Sequence, residues 1–407
     1  MRHRKPALGF IFVTLFLDIL GVGLIVPILP KLVQQMQGGD IAAASHAVGS
    51  LGAIYALMQF LFAPVLGSLS DQFGRRPVIL IALAGSALDY LLLAFAPTLP
   101  WFFIGRAVSG LSGANITAAT AYIADISPPE KRAANFGVIG AAFGLGFIAG
   151  PLLGGLLGAS NLRLPFLVAA ILTGANWLYG YLCVPESLDR EHRRPFSWSR
   201  ANPVGSLRAL REKPLAFGLA ISLFALNLGQ FCVHSTWVLY TGFRYGWGPR
   251  EVGLSLAVVG LTAAVVQGGL ARMIIPKLGE IRSIVCGNCI SALALAGYGA
   301  APRGWMIYAI LPFGAFGGIG GQSAQALVSK SVGPSEQGSI QGAITSLGSI
   351  AGFLAPILAT GLFGHFVDER RAVPVPGAPF FLGATLVACS LGIALRTIRK
   401  HLPKTGN

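Results

Sequence analysis

Three ionisable side chains, Asp18, Asp89 and Arg106, lie within long apolar stretches of the sequence. Asp89 comes eight residues before Pro97, which ends its stretch, and Arg106 comes six residues after Pro100, which begins the next one. We therefore expect these two side chains at a similar depth in consecutive helices. Burial favours the neutral form of a carboxylic acid and a nearby cation favours its ionised form, so such an acid can take up and release a proton. The alternative is a static ion pair that joins two helices.

Apolar stretches of this kind recur along the whole chain. The 407 residues are 54% hydrophobic and 11% charged, with a mean hydropathy of +0.68, which is too little charge for a soluble surface. A helix of about 20 apolar residues crosses a hydrocarbon core of about 30 Å. The sequence predicts an all-α membrane protein with twelve transmembrane helices and a retained first segment. The segments are near residues 8–30, 47–70, 78–96, 100–122, 135–158, 164–184, 215–237, 251–272, 283–300, 304–328, 338–363 and 378–396.

The net charge of +15 follows the predicted loops and does not indicate a nucleic-acid partner. If the N-terminus is cytoplasmic, cytoplasmic segments hold 22 of the 30 Lys and Arg residues and external loops hold seven. This asymmetry is the positive-inside rule. We therefore predict a multi-pass protein of a bacterial inner (cytoplasmic) membrane, with both termini in the cytoplasm.

The twelve segments fall into two sets of six. The longest polar stretch predicts a cytoplasmic linker, 185–214, between six-helix bundles of residues 1–184 and 215–400, and this linker could form a short amphipathic helix on the membrane. Two parallel six-helix repeats, with the substrate at their interface, describe one large class of transporter. An offset of about 205 residues relates the halves through four pairs, Gly74 with Gly279, Pro129 with Pro334, Gly137 with Gly342, and Pro151 with Pro356.

The loop after the second segment combines glycines with an acid and two arginines. Glycine permits a tight turn, and a carboxylate is stabilised near a helix N-terminus. The loop resembles the signature loop of the major facilitator superfamily, through Gly67, Asp71, Gly74, Arg75 and Arg76. The resemblance implies that Asp71 meets the start of the eleventh helix, near residues 335–339, and latches the outward-open state. Because Pro276 replaces Asp71 in the second half, we expect this latch on one side only.

A stripe of small residues marks the fifth segment. Gly146, Gly150 and Gly154 are four residues apart, so they share one helix face that another backbone can approach closely. Pro151 removes a backbone donor and can bend the helix. The stripe resembles the antiporter motif of drug:proton exporters within the superfamily, although plain close packing of helices requires the same residues.

Much of the first half resembles tetracycline:proton antiporters, and so does part of the second. The resemblance implies export of a cationic metal–tetracycline chelate in exchange for a proton, and it adds Asp125 to the conformational motif. The matching segments are Leu17–Pro30, Tyr55–Phe60, Ala63–Gly67, Leu88–Tyr90, Gly105–Arg106, Ala121–Ile126, Pro185–Ser187, Glu336–Gly338 and Gln341–Gly342.

Two positions depart from those antiporters. Where those antiporters have a histidine in the eighth segment, this chain has a neutral residue, near Ala263. Where they have an aspartate in the ninth segment, this chain also has a neutral residue, near Ser291. No Asp or Glu lies well inside a second-half segment, and the missing groups belong to the coupling and release apparatus of that family. His234 in the seventh segment is a candidate substitute, because histidine titrates near neutral pH. A hydrogen-bonded structural role is the alternative for it.

Amide side chains are the other polar groups in the apolar segments. In lipid they need partners, so they either join helices or line a cavity with aromatic walls that suits an amphiphilic, drug-sized molecule. Gln267 is one such amide. The predicted substrate-binding residues are Tyr55, Gln59, Asn115, Asn227, Gln230, Phe231, Trp237, Gln322, Gln325 and Gln341.

We therefore expect proton-coupled efflux of a drug-sized, cationic or amphiphilic compound such as tetracycline. The predicted proton-coupling residues are Asp18, Asp89, Arg106 and His234, with the first-half acids handling the proton and the second half binding most of the drug. The proton gradient is the expected energy source, with no cofactor, a substrate that could be a metal chelate, and a monomer as the functional unit.

A superfamily transporter of a sugar, amino acid or organic anion is the alternative. For a dianion we would expect a second buried cation, and Arg106 is the one within a segment. An enzyme is not expected, because no Ser/His/Asp constellation or paired-histidine metal motif lies at membrane depth. Cys286 and Cys289 form a C-x-x-C without the second pair that a metal site needs, so no metal site is predicted.

Overall fold

The computed structural model describes residues 8–113, 115–128, 132–196, 210–333, 337–368 and 373–401. Every regular element within these ranges is helical, which confirms the predicted all-α class. The first half contains α1 Leu8–Ile25, α2 Leu29–Met36, α3 Ile41–Phe73, α4 Arg75–Phe95, α5 Leu99–Ser112, α6 Asn115–Ile126, α7 Arg132–Ser160 and α8 Leu164–Cys183. The second half contains α9 Pro214–Tyr245, α10 Pro249–Ala263, α11 Ala271–Leu278, α12 Glu280–Ala300, α13 Gly304–Phe316, α14 Gly318–Lys330, α15 Gln337–Val367 and α16 Ala378–His401.

The predicted membrane segments are confirmed. In the described part of the chain, 11 helical stretches are long and apolar enough to cross a membrane. The remaining predicted segment, 100–122, corresponds to α5 and α6 in succession. Several helices have a proline among their first two residues, where it is favoured because its fixed φ suits the helix and its missing N–H is not needed. Examples are Pro100 in α5, Pro165 in α8 and Pro214 in α9.

Some segments are interrupted in ways that hydropathy did not indicate. A turn at residues 26–28 separates α1 from α2, and Gly317 separates α13 from α14. Residues Ala264–Leu270 form a π-helical turn between α10 and α11. Such turns place an extra residue in the helix and frequently occur at functional sites.

The chain forms two compact units. Unit 1 comprises Met1–Gly38, Ile54–Asn202 and Gly248–Gly260, and unit 2 comprises Gly39–Ala53, Pro203–Trp247 and Leu261–Asn407. Each unit therefore includes a short piece from the other half of the sequence. Within the linker, the structure describes residues 185–196 and 210–213, with a 3-10 turn at Arg190–His192. The remainder of the linker, which the sequence allows to form a short amphipathic helix, is outside the described residues.

The same helix pairings occur in both units. In unit 1, α1 packs on α7 and α8, and α4 packs on α5 and α8. In unit 2, α9 packs on α15 and α16, and α12 packs on α13 and α16. These are equivalent helices of the two six-helix sets, so the predicted pseudo-repeat is present in the packing.

The glycine before the third helix of each set shows the repeat at the level of the backbone. Gly74 precedes α4 with φ 106° and ψ 161°, and Gly279 precedes α12 with φ 78° and ψ 160°. A side chain is strongly disfavoured at these φ values, so both sites need glycine. Of the other predicted matches, Pro129 and Pro334 are outside the described residues.

Candidate functional site

Asp89 and Arg106 form a buried ion pair between α4 and α5. Arg106 Nη2 donates to Asp89 Oδ2 at 2.9 Å, and the arginine and aspartate side chains are 12% and 0% exposed respectively. The two side chains, which were predicted to lie at a similar depth by counting residues from Pro97 and Pro100, are therefore in direct contact. Breaking it by removing one partner would leave an uncompensated buried charge, which is strongly destabilising.

The pair is tightly enclosed but not fully satisfied. A methyl group at Gly105 would collide with Asp89 Oδ1, so glycine is needed where α5 passes the carboxylate. Among the described residues, neither Asp89 Oδ1 nor Arg106 Nε has a hydrogen-bond partner. A buried polar atom without a partner is costly, and such atoms in a native fold call for an explanation. The Ser109 hydroxyl is near the Asp89 carboxylate without satisfying Oδ1, so this oxygen remains available for a proton.

Asp18 and two tyrosines complete a charged cluster, which we define as Asp18, Tyr55, Asp89, Tyr90 and Arg106. Asp18 of α1 and Tyr90 of α4 are both buried. The Arg106 guanidinium lies over the Tyr55 ring, 5.9 Å from its centroid, in cation–π geometry. Asp18, Asp89 and Arg106 all act electrostatically on the hydroxyls of Tyr55 and Tyr90. The cluster thus brings two predicted proton-coupling acids, their arginine and one predicted substrate residue into a single network.

Close contact between α3 and α5 holds Tyr55 in this cluster. A methyl group at Gly110 would collide with the Tyr55 carbonyl oxygen, and one at Gly113 would lie 2.9 Å from the Tyr55 hydroxyl. Gln59 Nε2 donates to the Gly113 carbonyl oxygen at 3.3 Å, so this amide joins the two helices. Asn115 lies in the first turn of α6, and its side chain is outside the described part of the structure.

The glycine stripe of α7 packs directly against α1, the helix that carries Asp18. A methyl group on Gly150 would lie 2.7 Å from the Cα of Gly23, and one on Gly146 would lie 2.8 Å from Ile19 Cγ2. A methyl group on Gly154 would collide with the Leu24 carbonyl. The predicted close approach of a second backbone is therefore present.

Pro151 of α7, the helix-bending residue of the same motif, contacts glycines of two other helices. Pro151 Cδ would lie 2.9 Å from a methyl group on Gly23. The Pro151 carbonyl oxygen would collide with a methyl group on Gly253 of α10. Glycines on α1 and α10 thus allow both helices to approach the proline closely.

Arg75 is the centre of a second charged group, at the junction of α3 and α4. Its guanidinium pairs with Asp71, donates to Ser70 Oγ at 2.8 Å and donates from Nε to Asp125 Oδ2 at 3.1 Å. Gly67 faces α6, where Thr117 Cγ2 would lie 3.3 Å from an added methyl group. The signature loop and Asp125 are therefore one network.

The first residues of the linker cap this junction. The Glu186 carboxylate accepts the backbone N–H of Arg75 at 2.9 Å and that of Arg76 at 3.3 Å, which are the first two residues of α4. Ser187 Oγ donates to Asp125 Oδ2 at 3.0 Å, and the Arg76 guanidinium lies 5.8 Å from the Tyr181 ring centroid. Glu186 is a residue that sequence analysis matched to a family pattern without giving it a role. Of the predicted target of Asp71, at residues 335–339, residues 335 and 336 are outside the described residues.

The predicted polar residues of unit 2 form neutral pairs. Gln230 Nε2 donates to Ser291 Oγ at 3.4 Å, Gln322 Nε2 to Gln267 Oε1 at 3.3 Å, and Gln325 Nε2 to Gln341 Oε1 at 3.1 Å. Gln267 belongs to the π-helical turn, and a methyl group on Gly318 would lie 2.7 Å from its Nε2. Asn227 Nδ2 lies beside Gly348, 3.9 Å from where a methyl group would be.

The aromatic and histidine candidates of unit 2 differ in exposure, since His234 is exposed and Trp237 is buried. Phe231 and His234 make an edge contact with centroids 6.1 Å apart, and His234 is exposed. Trp237 is buried against Tyr298 and Phe380, with centroids 5.5 and 6.2 Å away. The structure therefore places Trp237 in an aromatic core of unit 2, and Phe231 beside His234.

Comparison with known proteins agrees with this architecture. A sequence model of the Major Facilitator Superfamily matches residues 11–356. The chain belongs to the major facilitator superfamily. It is 42% identical, over 92% of its length and 94% of the relative's, to "Tetracycline resistance protein, class C" of Escherichia coli. As a member of this superfamily it is a multi-pass membrane transporter and not an enzyme.

Solved structures show the same fold. The nucleoside transporter NupG superposes with a TM-score of 0.76 at 13% identity, covering 98% of this chain and 99% of that one. The human organic anion transporter MFSD10 (TETRAN) gives a TM-score of 0.69 at 25% identity, with 95% of this chain and 98% of that one covered. The superfamily fold of twelve helices in two repeats is therefore shown by sequence and by structure.

Proposed function

We propose that this chain exports tetracycline or a similar drug-sized compound from a bacterium in exchange for protons. The observation that carries the proposal is the buried Asp89–Arg106 pair, whose Oδ1 atom is unpartnered among the described residues. An acid that is buried beside one cation can take up and release a proton, because burial favours its neutral form and the cation favours its ionised form. The tetracycline resistance relatives, at 42% and 36% identity over 92% and 98% of the chain, supply the substrate class.

The proton and the substrate are coupled through the charge of this cluster. Ionised Asp89 neutralises Arg106, whereas protonated Asp89 leaves a buried guanidinium beside Tyr55. An unpaired buried charge is costly, so protonation changes the relative stability of conformations that bury or hydrate Arg106. Coupling of two ligands is reciprocal in binding free energy, and a substrate that disturbs the pair must therefore change the proton affinity by the same factor.

Antiport follows when the proton and a cationic drug compete. Among the described residues of unit 1, Asp18 and Asp89 are the buried acids, and a carboxylate that has taken up a proton no longer attracts a positively charged compound. This competition acts through charge and needs no direct contact between the drug and the acids, so proton uptake in unit 1 lowers the affinity for a cationic drug that is bound mostly by unit 2. A cationic metal–tetracycline chelate fits this requirement as the substrate, and the protein itself needs no metal or cofactor.

The second unit supplies neutral recognition. Its paired amides can each exchange a partner for a polar group of the drug, while Phe231 adds an aromatic surface. Binding sites for drug-sized molecules combine apolar walls with a few such polar groups. We assign His234 as a secondary proton group, both termini to the cytoplasm from the charge asymmetry of the loops, and activity to the monomer.

Reconstitution into proteoliposomes tests the proposal. An imposed pH gradient should drive radiolabelled tetracycline across the bilayer, faster when Mg²⁺ is present to form the chelate, and addition of the drug should in turn move protons. Collapse of the gradient with a protonophore should stop the movement. Drug movement that is indifferent to the gradient would refute antiport, and failure to move any of several tetracyclines would refute the substrate class.

An organic anion is the second candidate substrate. It is favoured by the likeness to the human organic anion transporter and by Arg106, a buried cation that an anion could approach. The same vesicles distinguish the two substrates. Uptake of a labelled organic anion that is lost in Arg106→Gln, with no movement of tetracycline, would favour the anion.

A further inference from the structure

A second ion pair joins two helix ends in unit 2. Glu280 is the first residue of α12 and Lys330 is the last residue of α14, and Lys330 Nζ pairs with Glu280 Oε1. The Glu280 side chain is 21% exposed and that of Lys330 is 70% exposed. An ion pair this accessible to solvent contributes little to stability, so stability alone gives no reason for its position.

The position of this pair in the chain is its informative feature. The offset of 205 residues that relates Gly74 to Gly279 also relates Arg75 to Glu280 and Asp125 to Lys330. The Arg75–Asp125 pair of unit 1 therefore has a counterpart at the equivalent helix ends of unit 2, with the two charges exchanged. The neighbouring Asp71 is not repeated.

Helix dipoles explain how the exchanged charges can serve the same junction. Glu280 at a helix N-terminus and Lys330 at a C-terminus both oppose the partial charges of their helices, which is favourable. Arg75 at the start of α4 and Asp125 near the end of α6 have the unfavourable orientation. In unit 1 the Glu186 carboxylate supplies the missing negative charge at the N-terminus of α4.

We propose that Glu280 and Lys330 are positioning residues for transport, and that they hold the α12–α14 junction of unit 2 as Arg75 and Asp125 hold the α4–α6 junction of unit 1. The functional part of this inference rests on the proposed export activity. A positioning pair acts on the conformational step and does not touch the drug. Its loss should therefore lower the maximal rate of export and leave the apparent affinity nearly unchanged.

Charge exchange within the pair is the decisive experiment. Glu280→Lys and Lys330→Glu should each lower Vmax of tetracycline export in proteoliposomes by about tenfold, with KM within about twofold of wild type. The double variant should export at least about threefold faster than either single variant, because it restores the ion pair, and more slowly than wild type, because each charge then has the unfavourable orientation to its helix dipole. Arg282→Glu, an exposed charge reversal in the same first turn of α12, is the matched control and should leave export unchanged. Single variants with wild-type Vmax, or a double variant no better than the singles, would overturn the proposal.

Hydrogen–deuterium exchange gives a readout that needs no substrate. In Glu280→Gln, which keeps the side-chain length and removes the charge, exchange should rise in the last turn of α14 as well as in the first turn of α12. Exchange confined to the mutated helix would overturn the pairing, and this measurement also decides the case if the reversal variants fail to reach the membrane. If the wild type exports no tetracycline, the proposed function fails, whereas the exchange result still decides whether the pair positions the junction.

Discussion

Units 1 and 2 share one arrangement of helices but differ in the chemistry of their interiors. In both, the first membrane segment (α1 or α9) packs on the fifth (α7 or α15) and the sixth (α8 or α16). The third segment (α4 or α12) packs on the fourth (α5 or α13) and on the sixth. Unit 1 buries Asp18 and Asp89 and encloses most of the Arg106 side chain. Unit 2 presents amide pairs and Ser291 in the corresponding part of its chain. The difference teaches that apolar patterning and small residues specify the helix framework, whereas a few polar substitutions on it specify which half handles charge.

The small-residue stripes show the same contrast in packing. Gly146, Gly150 and Gly154 of α7 pack on α1, and the offset of 205 residues places Ala351, Ala355 and Ala359 of α15 in the core against α9. Alanine keeps one methyl group between the backbones, while glycine removes it. Glycine therefore permits a closer contact in unit 1, at the helix that carries Asp18.

Replacing Asp18 by Asn should have the largest effect, because it removes the titrating group and keeps the shape. If the first-unit acids carry the proton, export driven by a pH gradient is lost, while drug binding stays within roughly tenfold, about 1.4 kcal/mol. Asp40→Asn is the control, since Asp40 is an exposed acid that caps α3 and Asn can replace it there. A much larger loss of binding in Asp18→Asn would identify the acid as a ligand of the drug.

Gly150→Ala should have the next largest effect, since it gives α7 the alanine that α15 already has. The methyl group would lie 2.7 Å from the Cα of Gly23, so α1 must move, at a cost of about 1–3 kcal/mol. We expect a lower unfolding temperature in detergent together with reduced export. Gly144→Ala, where a methyl group meets no atom within 4 Å, should behave as wild type. Equal effects of the two substitutions would show that contact with α1 is not the reason for glycine.

Gln230→Leu sharpens the assignment of the drug to unit 2. It keeps the volume and removes the donor to Ser291, so we expect KM to rise about fivefold with Vmax within about twofold. Thr385→Val removes a hydroxyl that donates to the Phe381 carbonyl within α16, and it should leave both constants unchanged. Steady-state export in proteoliposomes measures both constants. A fall in Vmax at constant KM would instead place Gln230 in the conformational step.

Glu186→Gln should have the smallest effect. It tests the cap at the start of α4, which belongs to the helix junction of unit 1. The amide offers one acceptor oxygen in place of two, so the start of α4 loses part of its cap, at about 1 kcal/mol, and the unfolding temperature should fall by about 2 °C. Asp189→Asn removes the same charge from an exposed position nearby and is the control. Thermal unfolding in detergent is the measurement, and equal shifts in the two variants would argue against a specific cap.

Hydropathy was sufficient to predict the helical class and the twelve segments, because each segment must match the thickness of the bilayer. It could not predict the breaks at Gly317 and at residues 26–28, or the π-helical turn, since these depend on backbone hydrogen bonding. The Asp89–Arg106 contact was predictable because both residues could be placed by counting from a helix end.

Partners distant in the chain were not predictable in the same way. A glycine stripe indicates that a helix approaches closely without specifying which one, so α1 was not identified as the partner of α7. Glu186 is 111 residues from Arg75, and a cap formed across such a separation leaves no local pattern. The Glu280–Lys330 pair did leave a signal in the 205-residue offset, but the repeat was compared by residue identity and the two charges are exchanged.

The most direct test of the division between the units is drug-induced proton movement in proteoliposomes containing the double variant Asp18→Asn, Asp89→Asn. If unit 1 carries the proton, tetracycline should move no protons in this variant, and a pH gradient should no longer drive export, although the drug still binds. Full proton-driven export by the double variant would contradict the account, and His234 of unit 2 would then be the group to examine.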